Sequence, residues 1–104
     1  MADSAISSNE RMFRITLICE GIPVELGVQM AIDVAEEFTH RPWHQNIRCT
    51  WAEGKLMLLA DNEFDDNGEA LADEFSDAVS ACLKPLVGYR IRIVSVVEPS
   101  LKNE

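Results

Sequence analysis

Two histidines, His40 and His44, lie four positions apart, the spacing that places two side chains on one face of a helix. Imidazoles in that arrangement can ligate zinc or transfer protons, and Glu36 and Glu37 precede them closely. Pro42 lies between the histidines, however, and proline disfavours helical geometry at the residue before it. The sequence therefore favours two solvated histidines at a helix-to-strand corner, with a metal, general-base or small-molecule site as the alternative.

Eight carboxylates and no base occupy residues 61–77. Part of this stretch resembles the EF-hand calcium loop, with polar residues at positions 1, 3, 5, 7 and 12 of that pattern: Glu63, Asp65, Asn67, Glu69 and Glu74. The sequence departs from the loop at Glu63, where the family has a shorter aspartate, and at Leu71, which has no ligand atom. A strand pattern also precedes it, where an EF-hand has a helix. We therefore expect acids that complement a helix N-terminus, with divalent-cation binding as a lesser alternative.

The segment Glu20-Gly21-Ile22-Pro23 joins a predicted strand to a predicted helix, and its amides could bind an anion at the start of that helix. The chain has no Gly-x-Ser-x-Gly sequence, no glycine-rich phosphate loop and no cysteine with a neighbouring histidine. We therefore expect a non-catalytic protein without a cofactor. Glu20, Gly21 and Pro23, together with the two histidines, are the candidate residues for a small-molecule or small enzymatic site.

Three cysteines, Cys19, Cys49 and Cys82, are too widely spaced to form a Cys-x-x-Cys metal or redox motif. Each lies among apolar residues, so we predict reduced, buried thiols in a cytoplasmic protein. Residues 1–11 lack the apolar core of a signal peptide. No apolar run approaches the ~18 residues that indicate a membrane span, and a membrane is not an expected partner.

The charge of the chain is strongly unbalanced: 9 Lys and Arg face 18 Asp and Glu, a net charge of −9 over 104 residues. Such a charge repels a phosphate backbone at long range, so nucleic acid is not an expected partner. Hydrophobic residues make up 47% of the chain and charged residues 26%, which is typical of one globular domain. We take residues 12–98 as that domain and residues 1–11 and 99–104 as flexible tails.

Hydrophobic periodicity predicts four strands, at residues 12–20, 43–51, 55–60 and 89–98. Glu53-Gly54 suits a hairpin turn that pairs Trp51 with Leu56 and Cys49 with Leu58. A first helix over residues 23–39 is predicted to bury an apolar stripe: Val24, Val28, Ala31, Ala35 and Phe38. A second helix is predicted from residue 67 or 68, after a loop and a capping box of Asp66 and Glu69, to Lys84 and Pro85.

The order strand, helix, strand, strand, helix, strand is the ferredoxin-like arrangement, an α+β fold with a four-stranded antiparallel sheet and both helices on one face. This layout resembles small ligand-sensing modules such as the ACT domain, which has the same element order and a Gly and a Pro near the first strand-to-helix turn. The Asp-x-Pro-Gly order of that family is replaced here by Glu20-Gly21-Ile22-Pro23. The resemblance implies small-molecule sensing at this turn as an alternative function.

Because the helices cover one face, the other face of the predicted sheet is open. Strand alternation gives it an apolar centre edged by arginines: Arg14, Ile18, Arg48, Met57, Leu59, Arg90, Arg92, Val94 and Val96. Leaving large apolar side chains in water forgoes roughly 1.5–3 kcal/mol each, so we expect a second copy to cover this face in a homodimer. Phe13 is predicted on the covered face, which leaves no aromatic platform for stacking RNA bases. The prediction is a non-catalytic, self-associating interaction or regulatory module, with the acidic helical surface available to a protein partner.

Overall fold

The computed structural model describes residues 12–83 and 88–98. Its elements are β1 (Phe13–Glu20), α1 (Val24–Phe38), β2 (Gln45–Ala52), β3 (Lys55–Asn62), α2 (Glu69–Cys82) and β4 (Arg90–Val97). This order confirms the predicted ferredoxin-like α+β fold. The predicted tails, residues 1–11 and 99–104, lie outside the described residues, as do Lys84 and Pro85. Neither described helix is long and apolar enough to cross a bilayer.

The four strands form one antiparallel sheet in the order β2-β3-β1-β4. β1 and β3 are therefore central, and β2 and β4 are the edges. The predicted hairpin register is confirmed, because Trp51 lies opposite Leu56 and Cys49 lies opposite Leu58. The third strand is two residues longer than predicted and ends at Asn62 instead of Ala60.

The hydrophobic core lies between the sheet and the two helices. Leu17 and Leu58 from the central strands are fully buried, and Phe38 of α1 and Phe75 of α2 pack over them in the same core. Phe13 is also on this covered face with 8% exposure, as predicted. Burial of these large apolar side chains is the main source of stability available to the domain.

The predicted buried stripe of α1 is partly wrong. Val24 and Val28 are 72% and 65% exposed, while the helix buries a neighbouring stripe: Gly27, Met30, Ala31, Val34 and Phe38. The reason lies at Gly27, where a Cβ atom would stand 2.1 Å from the indole ring of Trp51. The missing side chain lets that ring pack against the helix backbone, so the helix turns its longer Met30 and Val34 side chains toward the core.

The start of α2 also differs from the prediction, because no capping box of Asp66 and Glu69 forms. Gly68 is the N-cap residue and makes no side-chain cap. The buried Asp65 takes over this role: its Oδ2 accepts a hydrogen bond from the Leu71 amide at 2.8 Å, and its Oδ1 accepts one from the Ala70 amide at 3.3 Å. A carboxylate at this position satisfies free amides at the positive end of the helix.

Candidate functional site

The open face of the sheet brings together most of the predicted interface residues. Cross-strand pairing places Thr50 beside Met57, Met57 beside Ile18, and Ile18 beside Arg92. The next row places Arg48 beside Leu59, followed by Thr16 and Ser95. Because directly paired residues share a face, these side chains form one continuous surface across all four strands.

Exposure within this surface is uneven. Met57 and Val94 are 40% and 51% exposed, and Leu59 is partly buried. Ile18 is only 6% exposed although no helix covers it, because its cross-strand neighbours shield it. Beside it lies a half-enclosed hollow of about 430 Å³, whose lining is Ile18, Ala52, Glu53, Lys55, Met57, Arg92 and Val94. The open face therefore has an apolar depression rather than a flat polar surface.

Val96 was predicted on the open face and lies on the covered face instead. The β1–β4 pairing changes register between Thr16 and Leu17, so that Ser95 lies opposite Thr16 and Ile93 lies opposite Leu17. Val94 is the extra residue of this bulge, and an extra residue reverses the alternation that follows it. Val96 consequently packs against the core, and Val97, which is 50% exposed, takes its place on the open face.

Charge is segregated between the two sides of the domain. Five of the six bases among the described residues lie on the open face: Arg14, Arg48, Lys55, Arg90 and Arg92. The sixth, Arg41, lies at the end of α1 beside Glu74. Each helix carries four acids and no base. A protein of net negative charge thus presents a basic sheet face and an acidic helical surface.

Two of these bases have carboxylate partners. Arg14 donates from Nε and Nη2 to the two carboxylate oxygens of Asp61, each at 2.9 Å, and Asn46 Nδ2 donates to Asp61 Oδ2 at 2.8 Å. The hydrogen bonds from Arg14 lower the pKa of Asp61, and the same contact raises the pKa of Arg14. Arg92 Nε lies 3.6 Å from Glu20 Oε1.

The remaining three bases, Arg48, Lys55 and Arg90, form no salt bridge with any described residue.

The helix-to-strand corner separates the two predicted histidines. His40 is exposed, as expected, whereas the side chain of His44 is completely buried, which contradicts the prediction of a solvated residue. The ring of His44 lies within 6.0 Å of three aromatic rings, those of Phe38, Trp43 and Phe64. This aromatic enclosure leaves the His44 ring inaccessible to a substrate in solvent, so His44 is not a candidate general base.

Both ring nitrogens of His44 have partners. Asn62 Nδ2 donates to Nδ1 at 3.3 Å, which leaves the ring proton on Nε2 to be donated to Glu74 Oε1 at 2.9 Å. The orientation of Asn62 is fixed because its Oδ1 accepts hydrogen bonds from the amides of Phe64 and Asp65. His44 therefore joins β3 and α2 as a structural residue.

The five residues of the calcium pattern do not converge. Asp65 is occupied by the amides of α2, and Glu74 is occupied by His44, Arg41 and Trp43. Asn67 caps the Glu69 amide at 3.0 Å, and Glu63 is exposed. Within residues 12–83 and 88–98, no three His, Cys, Asp or Glu side chains are arranged to hold a metal ion.

The first strand-to-helix turn lines a second hollow, of about 480 Å³, which is wide open to solvent; its lining is Glu20, Gly21, Gly88, Tyr89 and Arg90. Gly21 has a φ of 100°, and a Cβ atom there would lie 2.7 Å from the Gly88 carbonyl oxygen. Close approach of the two chain segments thus accounts for this glycine. Pro23 precedes α1 and is partly buried.

The prediction of buried cysteines is confirmed for Cys19, whereas Cys49 and Cys82 are only partly buried. All three are free thiols, and Cys19 is fully buried. Burial raises the pKa of Cys19 to about 11 and that of Cys49 to about 12, and it also raises the pKa of Cys82. Because the thiolate is the reactive form, these are inert thiols rather than nucleophiles.

Comparison of the chain with protein-family models, with curated proteins and with solved structures finds no match.

Lys55 and Val97 lie on the open face but were not predicted there from the sequence. Lys55 alternates with Met57 and could have been assigned to this face by the same rule. Val97 could not, since nothing in the composition of β4 marks the bulge. The bond between His44 and Glu74 spans 30 positions, and no local spacing predicts it.

Proposed function

We propose that this chain is a non-catalytic interaction module that self-associates through the open face of its sheet. The observation that carries the proposal is the coincidence, on one uncovered surface, of an apolar depression with bases that form no salt bridge in the described part of the chain. Met57 and Val94 line the depression, and Arg48, Lys55 and Arg90 are the bases in question. Monomeric proteins leave few contiguous apolar patches exposed, so such a surface marks a binding site.

Protein is a better occupant of this surface than nucleic acid. Single-stranded nucleic acids bind sheet faces by stacking bases on aromatic side chains. Phe13 points into the core, and no aromatic residue of the described strands lies among the open-face positions. Arginine, methionine and valine around a depression instead suit a protein surface with an apolar centre and a charged rim.

Substituting Leu59 by Glu tests the proposal, because it places a carboxylate beside the depression. We expect the wild-type chain to show a mass of at least twice 11.6 kDa in chromatography with light scattering at micromolar concentration. Leu59→Glu should give soluble 11.6 kDa monomers. The more exposed Met57→Glu gives the same readout should Leu59→Glu fail to fold.

Ala81→Glu is the matched control, because it adds the same charge at an exposed position of α2. It should assemble as the wild type does. A wild-type chain that stays monomeric at micromolar concentration would refute self-association, and open-face variants that assemble normally would refute the assignment of the surface.

One observation favours a second candidate function, small-molecule binding at the first strand-to-helix turn. Glu20 and Arg90 are cross-strand partners and line the open hollow there. A carboxylate beside a guanidinium matches the ammonium and carboxylate groups of a free amino acid. Thermal denaturation with millimolar amino acids tests this: we expect one of them to raise the Tm of the wild type and not of Arg90→Ala. No shift with any amino acid would exclude this ligand class.

A further inference from the structure

A second exposed apolar surface lies on the helical side of the domain. Val24, Val28 and Ile32 follow one another at intervals of four residues along α1 and are 72%, 65% and 55% exposed. Side chains at this spacing lie on one side of a helix. We call these three residues the α1 stripe. It exists because α1 turns its neighbouring face, with Gly27 and Val34, toward the sheet.

The surroundings of the α1 stripe are acidic. α1 contains Glu25, Asp33, Glu36 and Glu37 and no base. Helical spacing places Glu25 and Glu36 along one flank of the stripe, whereas Asp33 and Glu37 lie on the far side of the helix, toward Cys82 of α2. The α1 stripe is therefore an apolar strip with acids along one flank, whereas the open face is an apolar depression with a positive rim.

The symmetry of the assembly determines whether a second open face or the α1 stripe is the better partner for the open face. A two-fold dimer built face to face would set each open face against an identical one, so the same five bases would meet from both sides. Glu20, Asp61 and Glu53 are the acids on or beside this face, so its five bases outnumber its acids, and two copies would bring together two surfaces of net positive charge. Like charges brought together in an interface oppose association.

We infer that the open face of one copy binds the α1 stripe of a second copy, head to tail. This inference rests on the proposed self-association and specifies its geometry. Apolar residues then meet apolar residues, and the bases of the open face meet the acids of α1. Since two different surfaces are joined, each added copy leaves one of each kind free, and the assembly grows into an open chain or closes into a ring.

Two single variants and their mixture test the geometry. Met57→Glu damages only the open face, and Val28→Glu damages only the α1 stripe; both positions are exposed, so the fold should be kept, as circular dichroism will check. Each variant alone should associate at least about tenfold more weakly than the wild type in sedimentation velocity. Their equimolar mixture should form a 1:1 complex that does not grow, because only one intact pair of surfaces is present.

A second variant of the stripe, Val28→Lys, places a base against the basic open face and should weaken association at least as much as Val28→Glu. Ala81→Glu again serves as the control and should assemble like the wild type. If Met57→Glu dissociates while both Val28 variants still form dimers, the dimer is symmetric through the open face. That result would overturn the head-to-tail inference and leave the proposed function intact. A monomeric wild type would instead remove both.

Discussion

The two faces of the sheet are built from alternating residues of the same strands, yet they have opposite relations to the rest of the chain. On β3, Leu58 is fully buried beneath the helices, while its neighbour Met57 is 40% exposed on the open face. Among the described residues, every buried side-chain nitrogen or oxygen has a hydrogen-bond partner. On the open face, by contrast, Arg48, Lys55 and Arg90 form no salt bridge within residues 12–83 and 88–98. The side chains of the covered face thus have their packing and hydrogen-bond partners within the chain, whereas the open face has apolar and charged side chains available to another molecule.

The largest effect should come from truncating Leu58 on the covered face. Leu58→Ala is expected to lower the free energy of unfolding by about 2–5 kcal/mol, since it removes buried methyl groups and leaves a cavity. Met57→Ala, one residue away on the open face, should change it by less than about 1 kcal/mol. Urea denaturation of the two variants at concentrations that keep the chain monomeric measures the contrast. Equal losses would mean that the open face contributes to the fold as much as the core does.

A smaller loss is expected where the covered face is most tightly packed. In Gly27→Ala the new methyl group would overlap the Trp51 ring, so the helix or the ring must shift, at a cost of about 1–3 kcal/mol. Thermal or urea denaturation measures this cost. A smaller side chain in the variant Trp51→Val should relieve the overlap, so that Gly27→Ala costs less in that background than in the wild type. An additive double variant would show that the two residues do not limit each other.

The fold was predictable because its signals are local. Alternation in β1, the apolar run of β3 and the Glu53-Gly54 turn each act within a few residues, and each is found in the structure. The rotation of α1 was not predictable in that way. Its sequence has apolar residues on two adjacent sides of the helix. The side that is buried is selected by the contact of Gly27 with Trp51, a residue of another element far along the chain.

The candidate site was likewise predictable where its signals are local and not where they depend on distant residues. The positions on β1, β2 and β3 follow from alternation alone, so Met57, Leu59 and Arg48 were placed correctly on the open face. The error at Val96 arises from one extra residue in β4, because a strand pattern rich in Ile and Val looks the same with or without a bulge. The enclosure of His44 depends on Glu74 and Asn62 from other elements, which no local spacing encodes.

The open face makes its own, smaller contribution to stability through Asp61 and Arg14. Because the pKa of Asp61 is lowered in the folded protein, its contribution is fully present above the unfolded value of about 3.9 and is lost as the pH falls toward the folded value. Asp61→Asn should therefore be less stable than the wild type at pH 7 by about 1–2 kcal/mol. The difference should shrink as the pH falls below about 4, the unfolded value, and toward the lower folded pKa, where the Asp61 carboxylate of the wild type becomes protonated. Urea denaturation at several pH values measures it, and a difference that does not change with pH would show that the charge of Asp61 is not what stabilises the pair.

The smallest effect, an absence of reaction, should appear at the thiols of the covered face. With a pKa of about 11, only about one Cys19 thiol in a thousand is ionised at pH 8, and the side chain has no exposed surface. Cys19 should therefore react with a disulfide reagent at pH 8 only as fast as the domain opens, and the partly exposed Cys49 should react slowly because its pKa is raised to about 12, whereas urea-unfolded chain should react within seconds to minutes. A cysteine introduced by Thr50→Cys, next to Cys49 in sequence but on the open face, provides the control and should react rapidly in the folded protein. If Cys49 reacted as fast as that introduced cysteine, solvent would have equal access to both faces of β2. The contrast between a covered and an open face would then be wrong at this edge of the sheet.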